Sequence, residues 1–227
     1  MPKYRYRLFD MILAIDTSSS IPQVACAAFD KIYTQNASCH GKSNEEIIGM
    51  IQHVLQQAGI TAAELAHIAV TVGPGSFTGV RLGVSIVQGI AAGSEIPVIP
   101  ISTLELLGYQ MYCESNCARY IVGLDARKGE IYWATFVRNS NSTLGYSYEC
   151  CDSVSAFKDI KLDTLHHCYG EIWQSYVTQE YPHYKLLQNI TTQKVQVEAL
   201  LNLAQLKQSQ AVHYLDISPI YVRNQVV

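Results

Sequence analysis

Charged residues are scarce in this sequence, and neither sign prevails. Lysine and arginine number 16, and aspartate and glutamate number 19, among 227 residues, which gives a net charge of −3. A protein that binds nucleic acid by itself neutralises phosphates with clustered lysine and arginine. The balance therefore predicts that this chain contacts nucleic acid only indirectly.

Long apolar runs and secretion signals are also missing. No uninterrupted apolar stretch reaches the ~20 residues that a membrane-spanning helix needs. Asp10 and Asp16 interrupt the apolar residues near the N-terminus, where a signal peptide requires a continuous stretch. We expect a cytoplasmic protein without a membrane anchor, with residues 1–10 as a short tail.

Sequence motifs that hold metal ions are absent as well. The sequence has no C-x-x-C, and no two of its seven histidines are four positions apart, the spacing that puts both imidazoles on one helix face. Seven cysteines, an odd number without a secretion signal, are typical of reduced thiols. His166, His167 and Cys168 are adjacent, but without a second ligand cluster they favour a polar turn before a strand, and no metal site is predicted.

Apolar residues make up 48% of the chain, and their spacing predicts a mixed α/β order. A buried strand at 12–16 leads into strands at 23–29 and 31–38, so the chain opens as an antiparallel meander. Residues 43–58 then have helical periodicity, with Ser43 and Glu46 as a capping pattern. The elements that follow are a strand at 67–73, a helix at 79–92, a strand at 96–102 and a helix at 103–112.

The pattern then restarts. The segment "YIVGLDARKGEIYWATF", residues 120–136, repeats the order of "MILAIDTSSSIPQVACAAF": an apolar strand, an aspartate, a polar turn and a second strand. An internal duplication accounts for this repeat, with one subdomain at 11–110 and the other at 111–227. The second half is predicted to continue with strands at 146–151, near 166–170 and near 183–187, and a helix at 191–208.

Each repeat ends its first strand on an aspartate, Asp16 in the first and Asp125 in the second. If the two halves face each other across a cleft, these carboxylates and their turns, which carry Ser18 and Arg127, would suit a phosphate chain and its magnesium ion. The alternative is that both aspartates only cap strand ends through local side-chain to backbone hydrogen bonds. The sequence pattern leaves both interpretations open.

Five segments closely resemble the TsaB (YeaZ) family: "ILAIDTSSS", "TVGPGSFTGVRLGVSIVQGIA", "STLELL", "LDARKGEIYWATF" and "PIYVRN". The resemblance implies an α/β fold of two duplicated RNase-H-like subdomains of the actin-like ATPase superfamily, with mixed sheets flanked by helices. Members keep the strand-end aspartate without turning over ATP. The resemblance therefore implies a degenerate phosphate cleft that could bind ATP or ADP, although the chain requires no cofactor. The residues that would line this cleft are Asp16, Ser18, Asp125 and Arg127.

The resemblance also implies a function. A TsaB-like chain is a non-catalytic scaffold that activates the paralogous transferase TsaD in forming threonylcarbamoyladenosine at position 37 of tRNA. TsaD carries a metal-binding histidine pair, which this sequence lacks, and the ATPase TsaE joins through the complex. The alternatives are a metalloprotease, after the old glycoprotease label of some relatives, and a stand-alone ATPase or kinase of the same superfamily.

A partner surface is implied on two helices. In the family the first two long helices pack against TsaD, and the same surface forms a homodimer when TsaD is absent. These helices correspond to residues 43–58 and 79–92, of which the second is apolar on nearly every face and needs cover beyond its own sheet. The expected interface residues are Ile47, Ile48, Ile51, Val80, Val84 and Val87.

Overall fold

A computed structural model describes residues 10–37, 44–160, 167–174, 190–191 and 194–222. The chain divides into two compact units, one of residues 1–103 with 196–220 and the other of residues 104–195 with 221–227. Each unit contains one five-stranded sheet. In the described ranges, every helix is too short or too polar to span a membrane.

The first unit is built on a mixed sheet with the order β3-β2-β1-β4-β5. Its strands β1, β2 and β3 pair antiparallel, whereas β4 and β5 extend the sheet parallel to β1. The strands are β1 Ile12–Asp16, β2 Gln23–Ala28, β3 Lys31–Asn36, β4 His67–Thr71 and β5 Val98–Ile101. The predicted meander is therefore confirmed, with its tight turn at Phe29 and Asp30.

Four helices of ten or more residues lie in the described part of the chain: α1 Asn44–Ala58, α2 Phe77–Ser94, α3 Thr103–Glu114 and α4 Val197–Leu206. A single helical turn also follows at 171–174. In the first unit, α1 contacts β2 and β3, α2 contacts β4, and α4 contacts β1 and β2. This cover explains why all five residues of β1 are buried. Short 3-10 helices lie at Ala62–Glu64, Phe157–Asp159, Gln208–Gln210 and Tyr214–Asp216.

The second unit repeats the topology of the first. Its sheet has the order β10-β9-β6-β7-β8, in which β6, β7 and β8 pair antiparallel and β9 and β10 extend the sheet parallel to β6. The strands are β6 Arg119–Arg127, β7 Glu130–Arg138, β8 Tyr146–Ala156, β9 His167–Tyr169 and β10 Ile190–Thr191. The same order of strands in both units confirms the duplication that the sequence predicts.

Tyrosine side chains fill much of the second unit's core. Tyr120 and Tyr146 are almost fully buried, and both pack against Phe136, with ring centroids 5.5 and 5.7 Å apart respectively. Helix α3 can approach this aromatic layer because Gly108 has no side chain. A Cβ at this position would lie only 2.7 Å from the Phe136 ring. The large number of tyrosines, 15 in all, is thus partly explained by an aromatic core between α3 and the sheet.

Two boundaries predicted from the sequence differ from those of the structure. The helix expected at 191–208 spans only Val197–Leu206, because Ile190 and Thr191 pair with β9 instead. The compact units also divide at 103/104 instead of 110/111, and residues 196–220 belong to the first unit. This return is fixed by the hydrogen bond from the Val197 amide to Gln23 and by a bridge between Val98 and Val212. The strand expected near 183–187, the cap at Ser43 and His166 lie outside the described residues.

Candidate functional site

Asp16 ends β1 with a carboxylate that is fully buried, at 0% exposure. Its Oδ1 atom accepts hydrogen bonds from the Ser18 amide at 3.0 Å, the Ser18 hydroxyl at 2.6 Å and the Thr71 hydroxyl at 2.6 Å. Its Oδ2 atom accepts from the Ser19 hydroxyl at 3.0 Å. Thr71 is close because it ends β4, the parallel neighbour of β1. The carboxylate is thus held by donors of its own chain, as a buried charge requires.

The segment "GPGSFTG" closes over the turn that follows Asp16. The Ser76 amide donates to the Ser18 carbonyl at 2.8 Å, and the Thr17 hydroxyl donates to the Gly79 carbonyl at 2.6 Å. A Cβ at Gly79 would lie 2.0 Å from the Thr17 carbonyl oxygen, and one at Gly75 would lie 2.6 Å from that of Ser18. These glycines are required here because they let the start of α2 lie directly against the backbone of the turn.

Asp125 holds the corresponding place in the second sheet but has different surroundings. Its side chain is exposed, and its Oδ1 atom accepts a hydrogen bond from the Arg127 amide at 2.7 Å. The strands are joined by Lys128 and Gly129, both at positive φ, so the connection is a two-residue hairpin turn. The structure thus brings Asp125 to the backbone of Arg127, within a short exposed turn.

Both aspartates therefore make the local hydrogen bonds of the capping interpretation. Asp16 and Ser18 are in direct contact, and so are Asp125 and the Arg127 backbone. The phosphate cleft itself stays a prediction, since it depends on both units together. In the described part of the chain, no group of three or more histidine, cysteine, aspartate or glutamate residues is arranged to hold a metal ion.

Most of the expected interface residues are buried in the chain's own core. Val80 and Val84 are each 4% exposed, and Ile47, Ile51 and Val87 are equally inaccessible. The structure thus places these five side chains in the core of the first unit. On α2, the close contacts of Gly79 and Gly83 with Thr17 turn this side of the helix towards the sheet. Ile48, at 43% exposure, is the exception. An interface on these helices stays a prediction, but its contacts must come from other positions.

The outward faces of α1 and α2 are smooth. For Gly49 on α1 and Gly89 and Gly93 on α2, no atom beyond the adjoining residues and helix backbone lies within 4 Å of the place where a Cβ would stand. Ser85 lies on the same exposed side of α2, one turn before Gly89. The two helices contact each other within the first unit. The exposed residues Ile48, Gly49, Ser85, Gly89 and Gly93 of these two helices are named the glycine face.

Thr17 and Thr71 are site residues that the sequence interpretation missed. Both hydroxyls are buried, and both contact the turn that carries Asp16 or the helix that covers it. A signal was present, because Thr71 places a hydroxyl directly after the apolar residues 68–70 of a parallel strand. Parallel neighbours end at the same edge of a sheet, so a donor there was placed to meet Asp16.

Comparison with known proteins gives a consistent family. A family model described as TsaD, tRNA N6-adenosine threonylcarbamoyltransferase, matches residues 36–215. The tRNA threonylcarbamoyladenosine biosynthesis protein TsaB of Escherichia coli (strain K12) is 36% identical over 57% of this chain and 56% of its own length. The TsaB protein of Buchnera aphidicola subsp. Schizaphis graminum is 34% identical over 67% of this chain and 71% of its own length. The chain thus matches about half of the first of these relatives and more of the second.

A solved structure supports the same assignment. The crystal structure of a Pseudomonas aeruginosa protein described as similar to peptidase YEAZ superposes with a TM-score of 0.82 at 25% sequence identity. The superposition covers 95% of this chain and 100% of that one. The duplicated fold is therefore shared with that protein over nearly the whole chain.

Proposed function

Because the chain belongs to the TsaB family of tRNA threonylcarbamoyladenosine biosynthesis proteins, we propose that it is a non-catalytic subunit of that pathway. In this proposal it binds the paralogous transferase TsaD and activates it, and the ATPase TsaE joins through the same complex. tRNA reaches the chain only through its partners. When TsaD is absent, the same surface holds a second copy of the chain.

The observation that carries the proposal is the glycine face. A glycine inside a helix costs about 1 kcal/mol relative to alanine. Gly79 and Gly83 are explained by contacts with Thr17, but Gly49 and Gly89 support no contact in the first unit that a Cβ would disturb. Small residues on an exposed helix allow another helix to approach closely, so a helical partner would account for them.

The environment of Asp16 favours a supporting role over catalysis. A carboxylate that holds a nucleotide's magnesium ion needs free oxygen lone pairs facing the ligand. Both oxygens of Asp16 accept hydrogen bonds from serine or threonine, and the residue has no exposed surface. We therefore infer that this chain needs no ATP and no metal ion for its role.

The binding surface is tested by charge insertion. Ser85→Arg and Gly89→Arg place a long cation on the glycine face, while Asn141→Arg places one on an exposed turn of the second unit as a matched control. Mixed with TsaD of the same cell, both α2 variants should fail to co-elute in gel filtration and fail to support formation of the modified adenosine. The control should behave as the unmodified chain.

The competing functions give different results in the same preparations. If both α2 variants still bind TsaD and support modification while remaining folded, the surface lies elsewhere. If the unmodified chain alone cleaves peptides with stoichiometric bound metal, or turns over ATP in a way that Asp16→Asn abolishes, the non-catalytic assignment is wrong.

A further inference from the structure

A cysteine and a histidine that the proposed function does not use lie together in the second unit. Cys117 follows the end of α3, and His167 begins β9. The Cys117 Sγ atom is 2.9 Å from His167 Nδ1. A nucleophile and a base within this distance are the basic arrangement of an activated thiol.

A third side chain completes the cluster. The Ser115 hydroxyl lies 2.7 Å from Cys117 Sγ and donates to it, and the same Oγ accepts from the Cys117 amide at 3.1 Å. Arg138 donates to the Ser115 carbonyl and, at 2.6 Å, to the Tyr112 carbonyl. Arg138 thus holds the backbone just before the thiol, and the Ser115 side chain holds the turn itself. Two polar groups converge on Sγ, one able to take its proton and one able to donate to it.

The other described thiols have different surroundings. Burial raises the pKa of Cys113, and Cys150 Sγ lies 3.7 Å from the Ser153 hydroxyl. Cys26 and Cys168 are buried, and burial raises the pKa of Cys26 to about 11 and that of Cys168 to about 12. Cys151 is exposed on β8. Cys117 is partly exposed, so a small reagent can reach it. Burial lowers the pKa of His167, which favours the neutral imidazole, the form that can accept a proton.

We propose that Cys117 is a reactive thiol that undergoes exchange with low-molecular-weight disulfides, with His167 as its base. In the tautomer with an unprotonated Nδ1, the imidazole takes the thiol proton as Sγ attacks one sulfur of the disulfide. A new S–S bond forms at Cys117 and the original S–S bond breaks. The departing thiolate receives the proton from His167, so Cys117 is oxidised and one sulfur of the reagent is reduced.

The test compares thiols within the intact, natively folded chain. The chain is incubated with glutathione disulfide, quenched with acid, digested and mapped by mass spectrometry over time. Cys117 should be modified roughly 10-fold to 100-fold faster than Cys151, as a positioned base allows. This comparison needs no variant. Equal or slower modification of Cys117 would overturn the proposal.

Variants identify the base. His167→Gln should bring the Cys117 rate close to that of Cys151, while buried Cys168 stays unmodified as an internal control for folding. His53→Gln replaces an exposed histidine of α1 and should change neither rate. Ser115→Ala should slow Cys117 less than His167→Gln does, because it leaves the proton acceptor in place. A fast Cys117 in His167→Gln would show that the histidine is not the base.

Discussion

Asp16 and Asp125 are corresponding residues of a duplicated hairpin, yet their environments differ. The turn after Asp16 is long and covered by the start of α2, while the turn after Asp125 is a short exposed hairpin. A buried carboxylate with hydroxyl and amide donors is stabilised by charge-assisted hydrogen bonds. At an exposed carboxylate, water competes for the same hydrogen bonds, so their net contribution to stability is small. The same residue type therefore stabilises the first unit much more than the second.

This difference is measurable with one substitution at each place. Asp16→Asn keeps the shape but replaces an acceptor with an amide donor among other donors, and should lower the free energy of unfolding by roughly 2–4 kcal/mol. Asp125→Asn is the matched control and should leave the unfolding midpoint unchanged within error. Urea unfolding followed by circular dichroism gives both values. Equal effects would mean that the Asp16 hydrogen bonds add nothing particular.

At the scale of elements, helix α2 carries glycines on two faces. Gly79 and Gly83 point at Thr17, where a Cβ would come within 2.0 and 2.3 Å of its oxygen atoms. Gly89 and Gly93 point away from the core into open space. The inward pair allows α2 to pack closely on the Asp16 turn. The outward pair lowers the stability of the helix, and no contact within the first unit compensates for this loss.

Alanine substitutions should therefore act in opposite directions. Gly79→Ala forces a methyl group against backbone and should destabilise the chain by about 1–3 kcal/mol or more. Gly89→Ala should stabilise it by up to about 1 kcal/mol through helix propensity. Denaturant unfolding at one fixed protein concentration measures both, since self-association would shift the result. A destabilising Gly89→Ala would reveal a contact that the open position does not suggest.

Val84 gives a further prediction for the same helix. Its side chain is 4% exposed among the core residues of the first unit, so Val84→Arg buries an unpaired charge. We expect a loss of more than about 3 kcal/mol of stability, seen as a lower thermal midpoint or insoluble protein. Ser85→Arg, one residue on and exposed, is the control and should fold normally. A well-folded Val84→Arg would mean that this side of α2 opens easily.

The order of elements was predictable from the sequence because its signals are local. Strand β1 lies where the apolar run ends at Asp16, and α1 follows the apolar periodicity to Ala58. Which face of α2 packs on the sheet was not predictable, because apolar residues occur on nearly all sides of this helix. Only the four-residue spacing of Gly79 and Gly83 marks its inner face. The start of α4 was missed for a different reason: pairing of β10 with β9, far away in sequence, overrides a helical pattern.

At the scale of the whole molecule, buried thiols make both units sensitive to alkali. The pKa of Cys26 rises from 9.0 to about 11 on burial, so its protonated form favours the folded state. That contribution is complete below the unfolded value and is lost as pH rises from 9.0 through about 11. The free energy of unfolding should therefore fall over this range, and Cys26→Ala should show a shallower fall. Parallel curves would exclude Cys26 as a cause.

The two units also differ in which parts of the chain they need. Helix α4 comes late in the sequence but contacts β1 and β2, and Leu200 in it is fully buried. Leu200→Ala should therefore weaken the first unit by about 2–5 kcal/mol. Cys26 in β2 and Cys168 in β9 report on the separate units, because each is buried and reacts only when its surroundings open.

Labelling with iodoacetamide under native conditions should then separate the units. In Leu200→Ala, the labelling rate of Cys26 should rise while that of Cys168 stays unchanged. Ile121→Ala, a fully buried position in the second unit's apolar cluster, is the reciprocal control and should expose Cys168 alone. If either variant accelerates both thiols equally, the chain opens as one cooperative body, and the return of α4 to the first sheet does not divide it energetically.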